Sequence, residues 1–171
     1  MALSMYQASV PVFLQGLRTL GAILEKAEAQ AAERKFDPVF LLNDRLASDM
    51  FPFSRQVQIA SDHAKGATAR LADLEVPKFE DTEKCFGELR QRLARVAEFV
   101  QSVDRNLIDG SEERAITLTI GGRAMTFTGQ TYLLHFALPN FFFHHTTAYA
   151  ILRHNGIGIG KRDFIGEIAQ V

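Results

Sequence analysis

Cysteine is almost missing: Cys85 is the only one in the chain. A disulfide framework within the chain and any multi-cysteine zinc site are thereby excluded, and a reducing compartment fits best, so a cytoplasmic protein is expected. In "DTEKCFGELRQRL" helical spacing puts Cys85 beside apolar residues, which predicts an inert thiol rather than a nucleophile. An excess of one charge is missing as well. Lysine and arginine number 19 against 20 acids, for a net charge of -1. The basic residues are interleaved with acids, as in "ELRQRLARVAEF", the pattern of a solvated helix face rather than a phosphate track. Nucleic acid is not an expected partner. Nor is a membrane: "MALSMYQASVPVFLQGLRTL" carries polar residues throughout and no basic leader, so neither a signal peptide nor a membrane span is expected. No internal repeat and no low-complexity tract appears.

What is present points to one compact unit. A chain of 171 residues, 47% hydrophobic and 23% charged, can bury a substantial core, and a single domain over 1–171 is expected. From Leu3 to Ala27 apolar residues recur at steps of three and four, one face of a helix in which Pro11 should mark a kink or the start of regular structure. Asp37-Pro38 closes that segment. A second stripe runs from Phe53 to Leu71. After the connector "DLEVPKFED", a third runs from Phe86 through Leu107, with Thr82 or Asp81 available as its cap. The period then changes. "ITLTI" and "RAMTFT" alternate on either side of Gly121-Gly122, a strong hairpin signal because both central residues of the tight turn need positive φ. A fourth helix is expected from Gly129 to Asn155-Gly156, bent near Pro139. The glycine-rich tail "IGIGKRDFIGEIAQV" is not a phosphate loop, since Arg162 stands where Ser or Thr is required.

Four amphipathic helices with a hairpin before the last imply an all-α four-helix bundle, with any site in its core. At 100° per residue, Leu133, Ala137, Asn140, His144, Ala148 and Ile151 share one stripe, so Asn140 and His144 are expected to face inward together. A buried amide and imidazole cost a few kcal/mol unless hydrogen-bonded, so either they satisfy each other and neighbouring polar groups or they meet a ligand. His145 is rotated one step away, and His135 falls opposite. On the second helix His63 lies at the edge of the apolar stripe, preceded at seven-residue steps by Gln56 and Asp49, so all three are expected along one groove. Ser54 and Ser61 lack the strand-to-helix elbow of a catalytic serine, and Glu112-Glu113 reads as a solvated turn.

The four helices, the hairpin, and the blocks "DMFPFSRQVQIASDHAKG", "PNFFFHHTTAYAILRHNG" and "IGKRDFIG" resemble an uncharacterised subfamily of the DinB-like superfamily. The resemblance implies an up-down-down-up bundle with a small β-hairpin inserted before the last helix. In metal-binding members of that superfamily, one histidine of the second helix and two of the fourth hold a divalent ion such as zinc or nickel. Here His144 matches the second fourth-helix ligand, Asn140 stands in place of the first, and His63 is the nearest candidate on the second helix. An amide is a poorer ligand than imidazole, so the resemblance implies a degenerate site, more simply without metal. Gln56, His63, Asn140 and His144 are accordingly expected to bind a small polar molecule. The competing expectations are a divalent-metal enzyme of the thiol transferase or isomerase type, and a structural or interaction protein. Phe142 and Tyr149 lie on the outer side of the last helix, where a second copy of the chain is expected to form a homodimer.

Overall fold

The computed structural model describes residues 3–168, so the extreme ends of the chain and the last three residues of the glycine-rich tail lie outside the described residues. Helix α1 runs Met5–Glu33, opened by a capping box in which Ser4 accepts from the Gln7 amide and Gln7 returns the bond. It passes through Pro11 as one element and continues beyond the apolar stripe, burying Ala31 as well. A short α2 (Val39–Asn43), not expected from the sequence, follows. Helix α3 spans Phe53–Leu71, the residues its stripe marks out. Helix α4 (Phe86–Ser102) stops short of Leu107 because Asp104 caps a separate turn, α5 (Arg105–Ile108), by accepting from the Asn106 amide at 2.8 Å. Leu107 is exposed there.

Two details at the start of α4 differ from expectation. The cap position is Cys85, which is exposed rather than packed beside apolar residues, and neither Thr82 nor Asp81 caps the helix. The reason lies in Asp81's partners: its carboxylate pairs with Arg55 and, at 3.0 Å, with Arg92. The Lys84 amide is satisfied instead by Glu88 at 2.6 Å.

Strands β1 (Ala115–Ile120) and β2 (Arg123–Thr128) pair antiparallel with Ile120 opposite Arg123. Gly121 and Gly122 have φ of 57° and 79°, as the two-residue turn requires. The last long helix has three parts: α6 (Gly129–Tyr132), a π-helical turn (Leu133–Ala137) and α7 (Leu138–His154). A final turn, α8 (Lys161–Ile165), lies in the glycine-rich tail.

Directions follow from the contacts. Phe53 meets Phe86 and Ser61 meets Arg92, so α3 and α4 are parallel. Phe13 meets Phe141 while Arg34 reaches Gly156, so α1 and α7 are parallel too. Gln56 meets His144 and His63 meets Phe136, which makes α3 antiparallel to α7. The bundle is therefore up-down-down-up, and the connector 72–85 carries the chain back between the two parallel helices. One continuous core joins the stripes of all four, with Phe13, Leu20, Phe53, Leu89 and Phe141 fully buried. Among the described residues no helix is long and apolar enough to cross a membrane.

Candidate functional site

The geometry of the last helix turns on its π segment. Pro139 has no N–H to return to the carbonyl four residues earlier, so the α-helical ladder is interrupted there in any case. The helix takes up the interruption as one wide turn over Leu133–Ala137 just upstream. Leu133, Ala137, His144, Ala148 and Ile151 of the expected stripe are all buried, within that turn and beyond it. Asn140 is only half-buried and donates its side-chain amide to the Phe136 carbonyl at 2.7 Å, within its own helix. It does not bond to His144. Phe141 takes the inward place, and both His144 and His145 are buried, at 8% and 1% exposure.

The two neighbouring histidines serve different sides of the bundle. His144 faces α3, where its Nδ1 lies 2.7 Å from the Gln56 side-chain oxygen. Gln56 is itself oriented, because its amide nitrogen donates to the Phe51 carbonyl at 3.0 Å. An amide oxygen can only accept, so Nδ1 carries the proton and Nε2 is left as a bare acceptor. His63 stacks on the same imidazole with ring centroids 5.9 Å apart and planes 14° from parallel. Burial, then the neighbouring His144, pushes the His63 imidazole down to about 4. Burial and then Arg55 lower His144 in the same direction. Both rings are neutral at physiological pH.

His63 also forms part of the wall of a cleft of about 310 Å³ under the hairpin. Its walls are Asp62 and Arg70 from α3, residues 118–120 of β1, and Tyr132 and Phe136 from the last helix. Arg70 donates to the Tyr132 hydroxyl at 3.2 Å and has no carboxylate partner among the described residues. Asp62 is already engaged, with Lys65 and Arg92 each at 2.9 Å. The cleft thus combines one uncommitted cation, a phenol oxygen, a neutral imidazole and an aromatic floor. Such a mixture suits a small molecule with an anionic or strongly polar group on an apolar body.

The structure brings together three of the expected residues, Gln56, His63 and His144, and leaves out two. Asp49 is exposed on a turn ahead of α3, because that helix begins only at Phe53 and the seven-residue spacing does not extend back to it. Asn140 spends its amide on the Phe136 carbonyl of its own helix. Arg70 and Tyr132 were not legible as site residues. Arg70 lies seven residues from His63, a two-turn spacing that could have signalled a shared face. Tyr132 precedes the π turn, and no sequence signal marks it.

A divalent metal fits this donor set poorly. A catalytic zinc takes three protein ligands, whereas two imidazoles are all that meet here, and among the described residues no group of three or more His, Cys, Asp or Glu side chains comes close enough to hold an ion. Asn140 does not supply the third, since its amide is turned to its own helix.

Comparison with known proteins agrees with the architecture. A family model described as "Domain of unknown function (DUF1993)" matches residues 5–165. A crystal structure described as a DinB family member protein from Shewanella denitrificans is 40% identical, with 97% of this chain and 94% of that chain covered and a TM-score of 0.87. Among curated proteins nothing matches.

Proposed function

The chain belongs to the DUF1993 family and is a DinB-like four-helix-bundle protein, and from the geometry of its cleft we propose that it binds a small polar molecule beside His63 and His144. Gln56 sets the tautomer of His144, His63 carries the contact into the cleft, and Arg70 supplies the charge that selects an anionic group. The observation that supports this most is the pair of neutral stacked imidazoles next to a guanidinium without an acid partner among the described residues. No nitrogen of either ring is both buried and unpartnered, so those that Gln56 does not engage stay open to a ligand. The competing reading, a divalent-metal thiol transferase or isomerase, lacks its third nitrogen ligand here, and no step through a metal is derived.

Benzoate is a suitable probe, its carboxylate matching Arg70 and its ring matching Phe136. It is expected to raise the melting temperature of the wild type, with binding weakened about tenfold, or about 1.4 kcal/mol, in His63→Ala and in Arg70→Ala. Benzylamine of the same shape should have no effect. Equal stabilisation by the amine, or benzoate binding untouched in both variants, would sink the proposal.

The outer side of α7 supports a second, interaction-type reading. Tyr149 is covered by Phe164 of α8 at 5.8 Å between centroids, but Phe142 and Phe143 remain 37% and 57% exposed beside Leu46 at 44%. We propose that a second copy of the chain covers this aromatic patch. Sedimentation velocity at rising concentration should then show a dimer that Phe143→Glu dissociates; a monomer at every concentration rules it out.

A further inference from the structure

On another face of α7, away from the proposed site, lies a histidine without a polar partner among the described residues. His145 is 1% exposed, and neither of its ring nitrogens has a hydrogen-bond partner among those residues. A neutral imidazole always carries one N–H and one lone pair, so this ring has given up two hydrogen bonds to water without regaining either. The ring lies beside Gly16 of α1, a position where any side chain would run into Phe141. Its other face is covered by Phe164, stacked at 4.4 Å between centroids.

The same ring forms part of the wall of a cleft of about 390 Å³. The remaining walls are almost wholly apolar, chiefly Pro11, Val12, Phe142, Phe164 and Ile165. A binding site for a small organic molecule has this composition: apolar walls and one or two polar groups that fix orientation. No charged side chain forms part of the walls, so a charged ligand would lose its hydration without compensation. Besides the packing of Phe164 on His145 and Tyr149, the cover over the ring is held by exposed contacts. Gln15 donates to the Ile165 and Glu167 carbonyls at 2.9 Å each, and Lys26 pairs with Asp163 at 2.5 Å. Contacts of this kind each contribute about 1 kcal/mol or less, so displacing Phe164 costs chiefly its ring packing on His145 and Tyr149.

We propose that the cleft between α1, α7 and α8 is a second ligand site, for a small uncharged molecule with an aromatic body and a single hydroxyl, which hydrogen-bonds the His145 ring as Phe164 gives way. The aromatic body replaces the stacking that Phe164 provides, and the hydroxyl can either donate to or accept from the imidazole.

The test titrates p-cresol and toluene, which differ only by the hydroxyl, into the full-length wild type, His145→Phe and His63→Ala. The wild type and His63→Ala are expected to prefer p-cresol at least tenfold, and His145→Phe to bind the two alike. A preference that survives in His145→Phe, equal affinities in the wild type, or no binding of either probe would overturn the site. If His145→Phe does not fold, the ring ¹⁵N shifts of His145 in the wild type read the same contact: they must move with p-cresol and stay still with toluene. Shifts that ignore p-cresol overturn the proposal.

Discussion

Replacing Arg92 by alanine is expected to lower unfolding free energy by about 3 kcal/mol, the low end of what breaking a buried ion pair from one side costs. Its side chain is fully buried between α3, α4 and the connector. Nε donates to Ser61 at 2.8 Å, and Nη1 donates to the Glu80 carbonyl at 3.1 Å and to Glu83 at 3.0 Å. Nη2 reaches Asp62 at 2.9 Å and Asp81 at 3.0 Å. Removing the guanidinium leaves Glu83, only 6% exposed, without a cation. Asp62 and Asp81 are each 36% exposed and can recover water, which is why the low end applies. Arg92→Met restores most of the volume but not the charge, and should be almost as damaging, since the loss is electrostatic rather than a cavity. Urea unfolding of the three proteins checks this. A loss under about 1 kcal/mol in both variants would mean that the network is hydrated and weak. The consequence reaches the site, because Asp62 belongs both to this network and to the wall of the cleft beside His63.

Acid is expected to be the second large destabiliser, and at unusually mild pH. Burial alone pushes the His145 imidazole down to about 4, from an ordinary 6.5. In the unfolded chain the ring takes up its proton as pH falls through 6.5, while in the native bundle it refuses the proton until about 4. The unfolded state therefore binds more protons across that window, and stability falls with falling pH throughout it. A shift of this size is on the order of 3 kcal/mol for one histidine, fully felt only near the bottom of the window. His63 titrates in the same direction, lowered to about 4 by burial first and then by His144, against a smaller opposing pull from Asp62. Carboxylates join in below about pH 5, so the histidine signal is read between pH 7 and 5. Urea midpoints should drop steadily over that range in the wild type and less steeply in His145→Phe, where His63 and His144 still titrate in the same direction. A flat profile would contradict the buried, neutral state of both rings.

Much of the fold was legible in the sequence because helix formation and burial leave a local record. The stripe from Phe53 to Leu71 coincides with α3 to the residue, and Gly121-Gly122 lies at the turn between β1 and β2. The site was partly legible. Gln56, His63 and His144 do meet, since three-and-four spacing holds within α3 and within α7 taken separately. The errors arise where one local rule gives way to another. Asn140 keeps its i, i+4 relation to His144 but turns its amide back to the Phe136 carbonyl of its own helix, and Asp49 precedes the start of α3. Arg92 appeared in the sequence as part of a solvated face, yet it is fully buried, because the partners that justify its burial come from α3 and from a connector without periodicity.

The sequence by itself determined the four long helices, the hairpin before the last and most of their apolar faces, which follow from periodicity and turn chemistry within a few residues; the up-down-down-up order came from the family resemblance. Only the tertiary structure decided what each inward polar group meets. His144 finds Gln56 and His63 across the bundle, while His145, one residue later, finds no polar partner under Phe164 among the described residues. Helical phase gives the direction of a side chain; the partner there depends on how distant segments cross, and that is written in no single stretch of the chain.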